Sequence, residues 1–285
     1  MTFRFNFGEE DTCENNLSRS KEDSGWLESE EILASTKQIE EFDDMVTRAK
    51  MFTCGELEIG HITVTSDLIQ NIKSETYHNS NLANEQYSDL VPGKYEGGLK
   101  IWECTKDLIE YLLDHEQEIE FNNVQVLDLG CGAGILGIYA FSKGAYVTFQ
   151  DYNKEVLENV TIPNVLLNIE EEDKQLEGMR KCKFYSGDWA SFNKNLKEEM
   201  IYDLIFTSET IYNDQNYGKL VEIFKNRLSP KGTIYVAAKT CYFGVGGGMR
   251  QFEKVINESN LFQHEICWKN VNGIQREILK IIRKD

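Results

Sequence analysis

From about residue 87 onward the chain settles into a rhythm of short apolar runs and longer amphipathic stretches. Runs at 124–129, 145–150, 182–185, 202–207 and 232–239 crowd Val, Ile, Leu, Phe and Tyr together, the pattern of strands buried on both faces. Helical patterns occupy 134–143, 154–168, 215–228 and 248–259. An earlier one at about 103–115 puts Leu108, Tyr111 and Leu112 on one side. This alternation predicts a doubly wound, Rossmann-like α/β sheet, parallel at its centre and covered by helices on both faces. The last two strands, 262–268 and 275–282, lie too close for a crossover helix, so a terminal antiparallel hairpin is expected. Upstream the rhythm fades. Residues 1–40 are acidic and polar and read as a disordered tail, with Trp26, Leu27, Ile32 and Leu33 as a mere local cluster. The stretch 56–64 alternates like a strand, so 41–86 reads as a small N-terminal cover element with His61 facing outward. The domain proper is 87–285.

Chemistry concentrates in the run VLDLGCGAGILG at 126–137. Glycines spaced two apart, between a strand and a helix, let the backbone turn at positive φ and let a ligand lie against bare peptide. The next strand ends at Asp151, about 20 residues past the turn, the distance at which an acid takes ribose hydroxyls. The spacing is GxGxG rather than GxGxxG, which argues against a pyrophosphate and for a nucleoside without phosphates, S-adenosylmethionine. In a doubly wound sheet ligands sit beyond the carboxyl ends of the strands. That rule collects Gly130, Gly132 and Gly134, then Gln150, Asp151 and Tyr152, then Gly187, Asp188 and Trp189. In the last group the carboxylate suits an adenine amino group and the ring suits the adenine face. After the fourth strand come Glu209 and Tyr212, where methyltransferases of this architecture hold the acceptor. Gly244, Gly246, Gly247 and Gly248 follow the fifth strand as a tightly bent or mobile loop, a candidate lid, and no Walker-type Lys-Ser/Thr comes after them.

Composition narrows the partner. Against 30 basic residues stand 48 acids, a net charge of −18, which repels polyanions and draws basic proteins. Direct nucleic-acid binding is not expected, since it rests on Lys and Arg at phosphates. The only prolines are Pro92, Pro163 and Pro230, so the Asn/Asp-Pro-Pro-aromatic tetrad of base-amine methyltransferases is absent. Seven scattered cysteines form no CxxC pair, which predicts reduced thiols, no metal, and a cytosolic or nuclear setting. No apolar run approaches the roughly 18 residues of a membrane span, and the N-terminus lacks a signal-peptide core. A monomer is expected.

Several segments together resemble the histidine protein methyltransferases: YEGGLKIWECT at 95–105, the glycine turn, FQDYN at 149–153, VTIPNV at 160–165, SETIYN at 208–213 and YFGVGGG at 242–248. The resemblance covers about 87–285 and implies a seven-stranded class I methyltransferase with a small N-terminal extension. It implies S-adenosylmethionine as cofactor and a histidine of ribosomal protein uL3 as acceptor, methylated at Nε2. It adds Ile101, Trp102, Glu103, Cys104, Thr105 and Ser208 to a cofactor site holding Asp128, Gly130, Gly132, Gln150, Asp151, Tyr152, Gly187, Asp188 and Trp189. From the chain alone Trp102 reads as a core aromatic. Relatives can carry a basic insertion between the second helix and the third strand. Here 170–174 and 179–182 are short and weakly basic, so a cytoplasmic location is expected, with the nucleus or nucleolus as alternative. For catalysis Glu209 is nominated to fix the imidazole tautomer and Tyr212 to shape the acceptor pocket. A protein-lysine methyltransferase of the same fold, or a cofactor-binding assembly factor for a ribosomal protein, are the alternative functions.

Overall fold

The computed structural model describes residues 27–64, 95–169 and 175–284. It begins with a two-residue strand β1 (Glu31–Ile32), helices α1 (Thr36–Glu40) and α2 (Phe42–Arg48), and a hairpin of β2 (Ala49–Cys54) and β3 (Leu57–Ile62). Helix α3 (Glu103–Asp114) leads into β4 (Gln125–Leu129), α4 (Ile135–Ser142) and β5 (Tyr146–Asp151). Helix α5 runs through Lys154–Val156, Leu157–Thr161 and Ile162–Leu167. Next come α6 (Gln175–Met179), β6 (Cys182–Ser186), α7 (Trp189–Asn195) and β7 (Tyr202–Ser208). The chain closes with α8 (Tyr217–Arg227), β8 (Leu228–Lys239), α9 (Met249–Ser259), β9 (Phe262–Lys269) and β10 (Arg276–Arg283).

The main sheet has the order β1-β6-β5-β4-β7-β8-β10-β9. Strands β4 to β8 run parallel to one another, and β10 inserts antiparallel between β8 and β9, the expected terminal hairpin. Along β4 successive side chains alternate between two cores. Val126 joins Val147, Phe149 and Phe184 against α3, α4 and α5, while Leu127 and Leu129 join Ile205 against α7, α8 and α9.

Two expectations are corrected together. The sheet has eight strands rather than seven, because β1 pairs antiparallel with β6, Ile32 facing Phe184. So the part of the expected tail that lies within the described residues is no tail; residues 1–26 lie outside them. The attachment joins main-chain bonds, Ser186 donating to the Glu30 carbonyl and Asp188 to the Leu27 carbonyl, both at 2.9 Å, to a side-chain one, Ser191 Oγ accepting from Ser29 N–H at 2.9 Å. Backbone pairing leaves almost no mark on composition, and Ile32, 5% exposed, is the one buried apolar side chain there.

The expected cover element is the β2–β3 hairpin with α2; 65–86 and the approach at 87–94 lie outside the described residues, as does 170–174. The hairpin docks on α5 through two asparagines one turn apart. Asn164 accepts from Ile62 N–H at 2.8 Å, and Asn168 exchanges two bonds with the Gly60 backbone. His61 is half-buried and its ring lies 3.2 Å from the neighbouring Ile62 carbonyl. The middle of α5 is a π turn just ahead of Pro163, where a missing N–H makes a regular helix harder to continue.

Candidate active site

Strand order reverses between β4 and β7, and there a cleft of about 310 Å³ opens at the carboxyl ends of the parallel strands. The β4 turn forms its floor. The Gly132 N–H donates to Asp151 Oδ2 at 2.9 Å, and Thr161, from the π turn of α5, donates to the Gly132 carbonyl at 2.6 Å. Asn164 donates to the Ala133 carbonyl at 2.8 Å, so the face of α5 that carries the hairpin also braces the turn. Gly132 sits at φ +50°, and a Cβ there would come 3.1 Å from the Gly98 carbonyl, which is why this position takes glycine.

Of the residues expected at the cofactor, Ile101, Trp102, Thr105, Asp128, Gly130, Gly132, Asp151, Tyr152, Asp188, Trp189 and Ser208 line the cleft. Glu209 and Tyr212 line it too. Trp102 is therefore a wall and not a core aromatic: it is half-buried and its Nε1 donates to the Gly97 carbonyl at 3.1 Å. Thr105 and Ser208 join their hydroxyls at 3.2 Å across the cleft base.

Glu103, Cys104, Gln150 and Gly187 do not reach the wall. The 100° step of a helix explains the first two, which point away from the face carrying Thr105. Glu103 reaches Lys239 at 3.2 Å and Cys104 is fully buried. Gln150, also fully buried, is a brace: its Nε2 donates to the Gly187 carbonyl and its Oε1 accepts from Trp189 Nε1, each at 2.8 Å. Gly187 packs under the N-terminal segment, where a Cβ would meet the Glu28 carbonyl at 2.7 Å. Asp188 has both oxygens engaged, Oδ1 capping α7 through Ala190 N–H at 2.8 Å and Oδ2 on Lys219 Nζ at 2.5 Å. Gly98, Lys100, Thr210, Asn213 and Lys219 also line the cleft and were not anticipated. For Gly98 and Lys100 the glycine pair in YEGGLK is the one visible signal, because only the fold brings that segment over the β4 turn, whereas Thr210 and Asn213 lie in the SETIYN loop beside Glu209 and Tyr212.

At the other end, β7 stops at Ser208 and Glu209 takes φ +58°, a conformation that non-glycine residues rarely adopt. Its carboxylate is 5% exposed. Oε2 accepts from the Tyr242 hydroxyl at 2.6 Å, while Oε1 lies 3.6 Å from Lys239 Nζ and has no hydrogen-bond partner among the described residues. Asn213 caps the turn that follows, accepting from Gln215 N–H at 3.1 Å. The Cys104 thiol beside this carboxylate is pushed up, first by burial and then by the Glu209 charge.

Two carboxyls under the cleft are raised by desolvation. Asp128 reaches about 8 although it accepts from Gly137 N–H at 2.9 Å, and Asp151 reaches about 6 despite backbone donors. Both sit above the unfolded value of about 4, so the stability they contribute is full below about pH 4 and is lost as pH rises through about 6 and about 8. A cation held here favours their ionised forms and must expel the protons. The affinity for S-adenosylmethionine is therefore expected to rise from pH 5 to pH 8.5, and that for S-adenosylhomocysteine, which lacks the sulfonium charge, to rise less. Calorimetry at several pH values checks this, and parallel pH dependences for the two ligands would refute the coupling.

The cleft suits the nucleoside read from the sequence. It offers a bare glycine turn, a strand-end acid and four aromatic side chains, and its lysines are turned to Trp102 and Asp188 rather than grouped as phosphate binding requires. Fold and site define a class I S-adenosylmethionine-dependent methyltransferase. A family described as lysine methyltransferase matches residues 92–249. Histidine protein methyltransferase 1 homolog of Mus musculus is 41% identical over 235 residues, covering 75% of this chain and 62% of that protein. The Rattus norvegicus homolog is 38% identical over 253 residues, covering 80% and 69%. EEF1A lysine methyltransferase 3 of Mus musculus is more distant, 29% identical over 141 residues, covering 49% and 55%. The chain belongs to the lysine methyltransferase family and, within it, to the histidine protein methyltransferases. It spans about three fifths of the mouse relative's length.

Proposed function

We propose that this chain transfers a methyl group from S-adenosylmethionine to a histidine of a basic protein, ribosomal protein uL3, at Nε2. The observation that carries this is the buried carboxylate of Glu209 on the cleft wall, whose Oε1 makes no hydrogen bond and has the Lys239 ammonium as its charged neighbour. The cofactor, when bound, supplies an electrophilic methyl on a sulfonium. The chain's own task is alignment and control of a proton. An imidazole of reference pKa about 6.5 is mostly neutral near pH 7, whereas a lysine near 10.4 is almost wholly protonated. A histidine therefore needs its tautomer set more than its proton removed. Glu209 Oε1, accepting from Nδ1–H, leaves the Nε2 lone pair outward and balances the positive charge that grows on the ring as the methyl arrives. Tyr212, on the same wall, bounds the acceptor space. Asp151 takes the ribose hydroxyls, and Trp189, braced by Gln150, packs on the adenine. The net charge of −18 favours a basic protein over a nucleic acid.

The test is incubation with methyl-labelled cofactor and purified uL3, then mass spectrometry of the labelled residue. Methylhistidine at Nε2 is expected. Methyllysine would establish the lysine reading that the broader family's description favours, and bound cofactor with no transfer would favour an assembly factor.

A further inference from the structure

The loop that follows β8 carries a residue that the proposed chemistry has not used. Tyr242 sits at its start, and its hydroxyl has two partners. The Lys239 backbone N–H donates to it at 3.3 Å, and it donates to Glu209 Oε2 at 2.6 Å. A phenol has one proton, and the amide already fills an acceptor position, so that proton is committed to the carboxylate. The glycines secure the ring. Tyr242 N–H donates to the Gly247 carbonyl and Gly247 N–H to the Tyr212 carbonyl, both at 2.9 Å. A Cβ at Gly247 would lie 2.2 Å from the Ile211 carbonyl, so no other residue lets the loop close on the Glu209–Tyr212 segment. Tyr242 and Tyr212 meet edge to face with centroids 6.3 Å apart. Burial and the Glu209 charge both hold the phenol protonated far above its ordinary range.

We infer that Tyr242 is a positioning residue: by occupying Glu209 Oε2 it turns Oε1 alone toward the acceptor imidazole, and the YFGVGGG loop exists to deliver it. This rests on the proposed role of Glu209. A carboxylate with both oxygens free rotates and accepts from either, so the acceptor ring has no single orientation. With Oε2 tied to the phenol and Lys239 Nζ 3.6 Å from Oε1, rotation of the carboxylate is opposed at both oxygens. Lys239 is itself held by Glu103 at 3.2 Å and lies over Trp102 and Tyr242, with centroid distances of 5.6 and 5.8 Å.

Tyr242→Phe removes only the hydroxyl. It should lower kcat on uL3 about tenfold, with KM for uL3 and the cofactor dissociation constant within about twofold of the parent. In a Glu209→Gly background, where glycine suits the φ of +58°, the same change should cost less than about twofold, since no carboxylate remains to hold. A structural role would slow both backgrounds alike, and that result overturns the inference. A second readout needs no turnover. With uL3 labelled with ¹⁵N in its histidine rings and bound to the enzyme without cofactor, the parent should hold one ring as the Nδ1–H tautomer and Tyr242→Phe should lose that preference. Identical ring spectra also overturn it. If Glu209→Gly itself transfers at the parent rate, the carboxylate role fails and takes this inference with it. If Glu209→Gly is slow and Tyr242→Phe is not, only the inference fails.

Discussion

Replacing Glu209 by glutamine is expected to lower kcat for methyl transfer by about 10²–10³, or about 3–4 kcal/mol of barrier, with cofactor affinity unchanged. The amide is nearly isosteric and still presents an acceptor. What it lacks is the charge that balances an imidazolium as it forms, in a site where that charge is little screened because the carboxylate is 5% exposed. Loss in kcat and kcat/KM together marks an interaction made only in the transition state. Single-turnover measurement with pre-bound cofactor isolates the step, and an unchanged rate removes Glu209 from the mechanism. Lys239 sharpens the expectation. Its ammonium lies 3.6 Å from Oε1, so the variant also leaves a cation facing a neutral amide.

Asp151→Ala should weaken cofactor binding by about 30–100-fold, or about 2–3 kcal/mol, through two losses at once. One is the acceptor for the ribose hydroxyls. The other is the hold on the glycine turn, since Oδ2 accepts from Gly132 N–H at 2.9 Å and Oδ1 from Asn153 N–H at 3.1 Å. Both ligands should lose affinity through the shared ribose, and S-adenosylmethionine the more of the two, because the ionised Asp151 also favours its sulfonium charge. An unaltered dissociation constant in calorimetry would show the ribose assignment to be mistaken.

Much of this site was legible along the chain. The GxGxG turn, the acid at the end of β5 and the Glu209–Tyr212 pair each follow a strand of the sheet, and one topological rule places everything after such strands at one mouth. Trp102 was not legible in this way. It precedes the first parallel strand, and only the closure of 95–102 over the β4 turn makes it a wall. Nor was the occupation of Asp188: the acid was visible beside its aromatic neighbour, but Lys219, 31 positions further on, takes one of its oxygens. Helix α7 and strand β1 were missed for related reasons. The cap of α7 is the same Asp188 that was read as a ligand, and β1 is held mainly by backbone bonds, which side-chain patterning does not record.

By itself the sequence determined the alternation of strand and helix, the glycine turn after β4 and the acid that follows β7. Those depend on neighbours a few positions apart, where periodicity and backbone preference act. Only the tertiary structure decided which groups that acid meets. The bond from Tyr242 to Glu209 spans 33 positions, and the ion pair from Lys239 crosses between adjacent strands of the sheet. Contacts of that kind arise when chain segments meet in space, and no local pattern of residues encodes which oxygen of a carboxylate is left free.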